Sequence, residues 1–299
     1  MSANLIADIE KRMPEFSKSQ RYIARFITEH YEKAAFMTAA KLGAAVGVSE
    51  STVVRFADEM GFEGYPEMQK ALQSYGRNRL TTLQRLNISA DRLEDGNILK
   101  NVMTQDIERI RYTMENISEE SFNTAVEKIV SARSVYIFGA MSSDILSRFL
   151  STYLTLSCGN VTHVQPINSS GILQQLIHLG KEDVFISISF PRYFKNTLTA
   201  TKYVKECGAN IIAITDSEAS PLAEYADQLL LARSDIISYA DSLAAPLSLI
   251  NALVAAVGMK NSEKLEKTLS RLEDLWEKNE AYKKDDDPLP GNSDAESDH

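Results

Sequence analysis

The chain has 299 residues, 44% of them hydrophobic, and a formal net charge of -9 at pH 7. That length exceeds one ordinary domain and carries enough apolar content for two cores. No run of 18 or more apolar residues occurs, so no membrane span is expected.

The opening Met1 to Glu10 lacks a basic segment followed by an apolar one, so no secretory signal is expected and the protein is placed in the cytoplasm. Ser17-Lys18-Ser19-Gln20 has the form of a capping box, and Ile23, Phe26, Ile27, His30 and Tyr31 follow at helical spacing, predicting a helix from Ser17 to Glu32. Thr38 can cap a second helix and Ser49 a third, with Gly47 between them free to take positive φ. Leu42, Val46, Val48, Val53 and Phe56 are spaced to meet in one small core, leaving Ser51, Thr52 and Arg55 facing outward. Two short helices joined by a glycine turn form a helix-turn-helix, a DNA-reading unit. Gly61 ends the third helix, and Pro66 to Arg77 reads as another with proline at its first helical position. The polar, mixed-charge stretch from Arg79 to Asn97 suits a partly helical connection.

The pattern then changes to alternating strands and helices. Val135-Tyr136-Ile137-Phe138 leads to Gly139 and a helix from Ser143 to Ser157. Further strands are expected at Val161–Val164, Val184–Ser189, Ile211–Thr215 and Leu229–Leu231. Continuous apolar runs imply strands covered on both faces, and the alternation implies a parallel sheet. A last amphipathic helix runs from Ser262 to Tyr282 and carries Trp276, before a tail rich in Asp, Pro, Gly and Ser. The expected organisation is a helix-turn-helix domain over 1–78, a linker over 79–116, an α/β domain over 117–260, a helix over 261–282 and a disordered acidic tail over 283–299. Cys158 and Cys207 are too few for a disulfide framework and are read as buried thiols.

The acidity is not uniform along the chain. Residues 1–80 hold 11 Lys/Arg and 10 Asp/Glu, whereas residues 81–280 hold 19 and 25, and residues 281–299 hold 2 and 6. The N-terminal unit is therefore the part compatible with phosphate contact.

Residues Met37 to Leu72, with Val48-Ser49-Glu50-Ser51-Thr52-Val53-Val54-Arg55-Phe56 and Gly61-Phe62-Glu63-Gly64-Tyr65, resemble the N-terminal domain of the RpiR-type bacterial transcription regulators. Val135 to Leu231 is similar to their sugar isomerase (SIS) domain, above all in Gly208-Ala209-Asn210-Ile211-Ile212-Ala213-Ile214-Thr215-Asp216 and Ser220-Pro221-Leu222-Ala223. The resemblance implies an all-α helix-turn-helix domain joined to a flavodoxin-like, five-stranded parallel α/β domain. It also implies a homodimer or homotetramer, and control of sugar genes through a phosphorylated effector.

The candidate DNA-binding residues are Lys41, Ser49, Ser51, Thr52 and Arg55, facing a double-stranded operator. Short hydroxyl side chains at a helix N-terminus suit phosphate or base edges, and Arg55 one turn on reaches guanine or phosphate. Ser49 is equally read as a plain N-cap. The candidate effector residues come from two loops at strand carboxyl ends, Ser142 and Ser143 in one, and Ser189, Arg192, Tyr193 and Thr197 in the other. Relatives carry a Ser-Gly-x-Thr type loop in the second position, where this chain has Pro191 and Arg192, and Met141 stands for a usual glycine in the first. Two readings follow: Arg192 grips a small anion, such as a sugar phosphate, in place of lost amides, or the pocket is vestigial. His163 and His178 are read as core or edge residues. No cofactor or metal and no catalytic residue is expected. The alternatives are a phosphosugar isomerase, which needs a positioned Glu or His that neither loop supplies, and an α/β unit that serves only oligomerisation.

Overall fold

A computed structural model describes residues 5–77, 81–86, 97–235 and 240–279. The acidic tail and the end of the last expected helix, from residue 280 on, lie outside the described residues.

The N-terminal unit is all helical: α1 (Leu5–Arg12), α2 (Lys18–Glu29), α3 (Tyr31–Ala34), α4 (Ala39–Val46), α5 (Glu50–Glu59) and α6 (Tyr65–Arg77). Three of these starts are chemically marked. Ser17 forms a reciprocal capping box with Gln20, Thr38 caps α4 through the Lys41 amide, and Ser49 caps α5 through the Thr52 amide. The expected single helix to Glu32 instead breaks at His30, whose φ of -136° leaves the helical region. The break turns α3 so that Ala34 enters the core and the Tyr31 ring meets Tyr75 of α6 edge-on at 5.4 Å. Leu42, Val53 and Phe56 are fully buried with Ile23, Ile27, Met68 and Leu72, while Val46 and Val48 pack at the rim of that core. The Tyr65 hydroxyl donates to the Met37 carbonyl at 2.9 Å, and burial pushes its pKa up to about 12.

After a helical turn at residues 82–86 come α7 (Ile98–Asn116) and α8 (Glu119–Ser131), then β1 (Val135–Gly139), α9 (Ser142–Cys158), β2 (Val161–His163), α10 (Ser169–Gln175), β3 (Val184–Ile188), α11 (Lys195–Cys207), β4 (Asn210–Thr215), β5 (Gln228–Leu231), α12 (Ala244–Lys260) and α13 (Ser262–Lys278). The five strands form one parallel sheet in the order β2-β1-β3-β4-β5. Every residue of β3 is buried, as a strand covered on both faces must be. Alternating side chains divide two cores. Ile137, Ile186, Ile212 and Leu230 pack under α8, α9 and α12, whereas Phe138, Phe185 and Ile211 pack under α10 and α11.

The two cysteines depart from expectation: both are half-buried rather than buried. Each closes a helix at the surface of the sandwich, where only part of the side chain is covered. Burial still pushes the Cys158 thiol up, against opposing hydrogen bonds from Ser157 and Asn261 and the charge of Lys264.

Candidate functional site

The first candidate site is the N-terminal end of α5. Gly47 sits at φ 72°, the left-handed conformation that closes α4 and aims α5 across it. The crossing is close: a Cβ on Gly43 would lie 2.8 Å from the Val48 carbonyl oxygen. Three hydroxyls gather there, with Ser49 Oγ 2.9 Å from Ser51 Oγ and 2.8 Å from Thr52 Oγ1. Ser49, Ser51 and Arg55 are exposed, as is Lys41 in the first turn of α4, and Thr52 is half-buried. Val53, Phe56 and Ala57 of the same helix are buried. The helix thus has one face in the core and one face free, and its outer face carries hydroxyls at the positive dipole end and a guanidinium one turn later.

The second candidate site lies at the carboxyl ends of β1 and β3. These strands are hydrogen-bonded neighbours, with Gly139 registered against Ile188. The strand order changes direction between them, so the loops that follow flank the crevice where open α/β sheets take ligands. Gly139 is fixed by space, since a Cβ there would meet the Ser143 carbonyl oxygen at 2.4 Å. Met141, the residue before α9, holds φ 56° and ψ -122°, a conformation that favours glycine, and its side chain is exposed. Ser142 is exposed, whereas Ser143, Ser189 and Thr197 are buried. Among the described residues, Thr197 Oγ1 is a buried hydroxyl with no hydrogen-bond partner.

Arg192 is exposed and donates from Nη2 to Thr82 Oγ1 at 3.2 Å, reaching the helical turn between the two domains. Tyr193 donates its hydroxyl to Asp216 Oδ1 at 2.6 Å, and burial with the Asp216 charge pushes the phenol well above its usual range. One buried ion pair at this end was not foreseen from sequence. Arg85, 2% exposed, is held by Asp241 with Nη1 2.6 Å from Oδ1. Burial pushes the Asp241 carboxyl up, opposed by Arg85 and Arg192, while Asp216 adds to the rise. Two cations and two carboxylates therefore meet at this mouth, and one cation comes from the interdomain segment. No pattern within either residue's own stretch marks the pairing, because the two lie 156 residues apart.

The two histidines lie elsewhere. His163, on the edge strand β2, is half-buried with Nε2 2.8 Å from Asp144 Oδ1 and 3.2 Å from Ser147 Oγ. His178 is exposed. Among the described residues, no group of His, Cys, Asp and Glu could hold a metal ion, and no helix is long and apolar enough to cross a membrane.

Comparison with known proteins places both halves. Residues 3–78 match the helix-turn-helix domain of the rpiR family, and residues 128–256 match the SIS domain. HexR, an HTH-type transcriptional regulator of Pseudomonas aeruginosa, is 25% identical over 283 residues, covering 91% of this chain and 95% of its own. An uncharacterised HTH-type transcriptional regulator of Haemophilus influenzae is 25% identical over 244 residues, covering 77% of this chain and 80% of its own. The sugar isomerase domain of an RpiR transcription factor from Sphaerobacter thermophilus is 27% identical with a TM-score of 0.57, covering 59% of this chain and 98% of that one. The Vibrio vulnificus NanR protein, solved with ManNAc-6P, shares the fold at 20% identity and a TM-score of 0.57, covering 92% of this chain and 99% of its own. With an N-terminal rpiR helix-turn-helix and a C-terminal SIS domain in the family's order, the chain belongs to the RpiR-type transcriptional regulators.

Proposed function

We propose that this regulator works in the cytoplasm as a dimer that reads duplex DNA with α5 and senses a small anionic metabolite, a phosphorylated sugar, without converting it. The reading-helix assignment rests on the outer face of α5, where Ser49, Ser51 and Arg55 are exposed above a buried Val53 and Phe56. Lys41 and Thr52 complete the contact, Lys41 as a phosphate ligand beside the helix end.

The observation that carries the effector reading is the meeting of Thr82 and Arg85 with Arg192 and Asp241. An anion held by Arg192 competes with the Thr82 hydroxyl and draws on the charge that Arg85 shares with Asp241. Residues 81–86 follow directly on the reading domain, so occupancy of the crevice and placement of that segment are linked. A ligand shifts the DNA-competent population only through such a difference in affinity between states. Ser142, Ser143, Ser189, Tyr193 and Thr197 are the further candidates around the anion, and the unpartnered Thr197 hydroxyl is a ready donor. The complex of NanR with ManNAc-6P is a property of that protein; here it supports the choice of phosphorylated sugars as the ligand class.

A sensing rather than converting role is supported by the loops themselves. Residues 139–143 and 189–197 contain neither Glu nor His, and the nearby carboxylates of Asp216 and Asp241 are engaged by Tyr193 and Arg85. The test is a gel shift of the full chain on the promoter fragment of its own gene, with and without phosphorylated sugars. Salt-sensitive binding that a sugar phosphate alters is expected. Absence of DNA binding, or turnover of the sugar phosphate, overturns the reading.

A further inference from the structure

Helix α7 has three distinct faces. Val102, Asp106, Arg109 and Thr113 turn toward the α/β domain, with Arg109 and Thr113 buried, and Lys100, Thr104, Glu108, Arg111 and Glu115 form an exposed polar face. Between them runs a stripe of Leu99, Met103, Ile107, Ile110 and Met114, spaced four, four, three and four residues apart. These side chains are 72%, 58%, 54%, 38% and 69% exposed. At 1.5 Å per residue the stripe spans about 22 Å. Its C-terminal end continues into an apolar groove of about 450 Å³, where Ile110, Met114 and Ile117 face Phe122, Leu249 and Ala252.

Single exposed apolar residues are ordinary, but a five-residue stripe at heptad-like spacing, continuous with an apolar groove, is the pattern of a covered surface. The charge pattern says what covers it. Lys100 stands in the first turn of α7 and Glu115 in the last, so a parallel copy sets like charges together, whereas an antiparallel copy sets Lys100 against Glu115 at both ends. Antiparallel helices also align their dipoles favourably. With the two-fold axis near Ile107, Leu99 meets Met114, Met103 meets Ile110, and Ile107 meets its own copy. Such a contact is isologous and closes at two chains.

We infer that α7 is the dimerisation helix, pairing antiparallel with α7 of a second copy through Leu99, Met103, Ile107, Ile110 and Met114. The inference deepens the dimer of the proposed function by naming its interface. The arrangement places the assembly contact between the reading domain and the α/β domain in sequence.

The experiment is light scattering and sedimentation of the full chain at micromolar concentration, with circular dichroism to verify folding. Ile107→Glu, on an exposed position, is expected to halve the mass of the assembly or raise its dissociation constant at least tenfold. Lys100→Glu and Glu115→Lys are each expected to weaken assembly, and the double variant Lys100→Glu/Glu115→Lys to restore it, since the swapped charges pair again. These charge variants leave the stripe intact and keep the inference testable should Ile107→Glu fold poorly. A monomeric wild type, an Ile107→Glu variant that assembles like wild type, or a double variant as weak as either single one overturns the inference. Failure here is separable from failure of the DNA reading. Loss of the gel shift in Arg55→Ala with dimers intact concerns α5, and intact dimers in Ile107→Glu concern α7.

Discussion

The Arg85 guanidinium lies 2.6 Å from the Asp241 carboxylate across 156 residues of sequence, joining the interdomain turn to the strap before α12. Arg85 is almost completely buried, so removing Asp241 takes a neutralising carboxylate from a cation held away from water. Asp241→Ala is expected to cost about 3–5 kcal/mol of stability in urea unfolding. Replacing both residues, Arg85→Leu with Asp241→Leu, should cost much less, because no unpaired charge remains. If the double variant is as unstable as Asp241→Ala, the pair does not hold the segment.

Arg55 is exposed on α5 beyond the hydroxyl cluster of Ser49, Ser51 and Thr52. Arg55→Ala should leave thermal stability within about 0.5 kcal/mol of wild type. In a gel shift it should weaken DNA binding by about tenfold or more, a loss of about 1–3 kcal/mol. Unchanged affinity across a salt titration would move the DNA contact elsewhere.

Met141 bears a side chain at φ 56°, where glycine is at ease. Met141→Gly should therefore raise stability by about 1 kcal/mol despite the added freedom of the unfolded chain. A fall in the melting temperature would indicate that the exposed methionine makes a stabilising contact.

Thr197 places a buried hydroxyl without a partner among the described residues beside the crevice. Thr197→Val removes an unsatisfied group at nearly constant volume and should leave the melting temperature equal or higher. Isothermal titration with whichever sugar phosphate alters the gel shift should give weaker binding in the variant. Equal affinity would remove Thr197 from the site.

Asp183 is fully buried at the foot of β3. Burial raises its carboxyl, but the Arg133 guanidinium, with Nε 2.9 Å from Oδ1, and the Gly180 amide outweigh that and hold it below the ordinary range. A depressed carboxyl stabilises the fold above the unfolded pKa of about 3.9 and loses that contribution as pH falls through the folded value. Asp183→Asn should be less stable than wild type at neutral pH, and the gap in urea midpoints should narrow as pH drops below about 4. A gap independent of pH would mean that the carboxylate charge is not what matters.

Local chemistry made much of this legible. Ser17, Thr38 and Ser49 announced helix starts because each offers an oxygen to a free amide, and Gly47 announced the turn because few other residues sit at its φ. The strands β1, β3 and β4 were readable as unbroken apolar runs, and their order placed the two loops side by side. The break at His30 was not readable, since it serves the packing of Tyr31 on Tyr75, a contact between distant segments. Arg85 was missed for the same reason. Its burial depends on Asp241, and no pattern within its own stretch records a partner that far away. The apolar flank of α7 lies within the stretch expected as a linker, and its three faces separate only along the unbroken helix from Ile98 to Asn116.

The adjacency of β1 and β3 has a bearing on how ligand preference changes over time. The side chains proposed to meet a metabolite project from two short tips, while the registered pairs beneath, such as Ile137 with Ile186, carry the load of folding. On the proposed reading, exchanging a few residues at those tips is expected to change which metabolite is held while the registered pairs beneath stay unaltered.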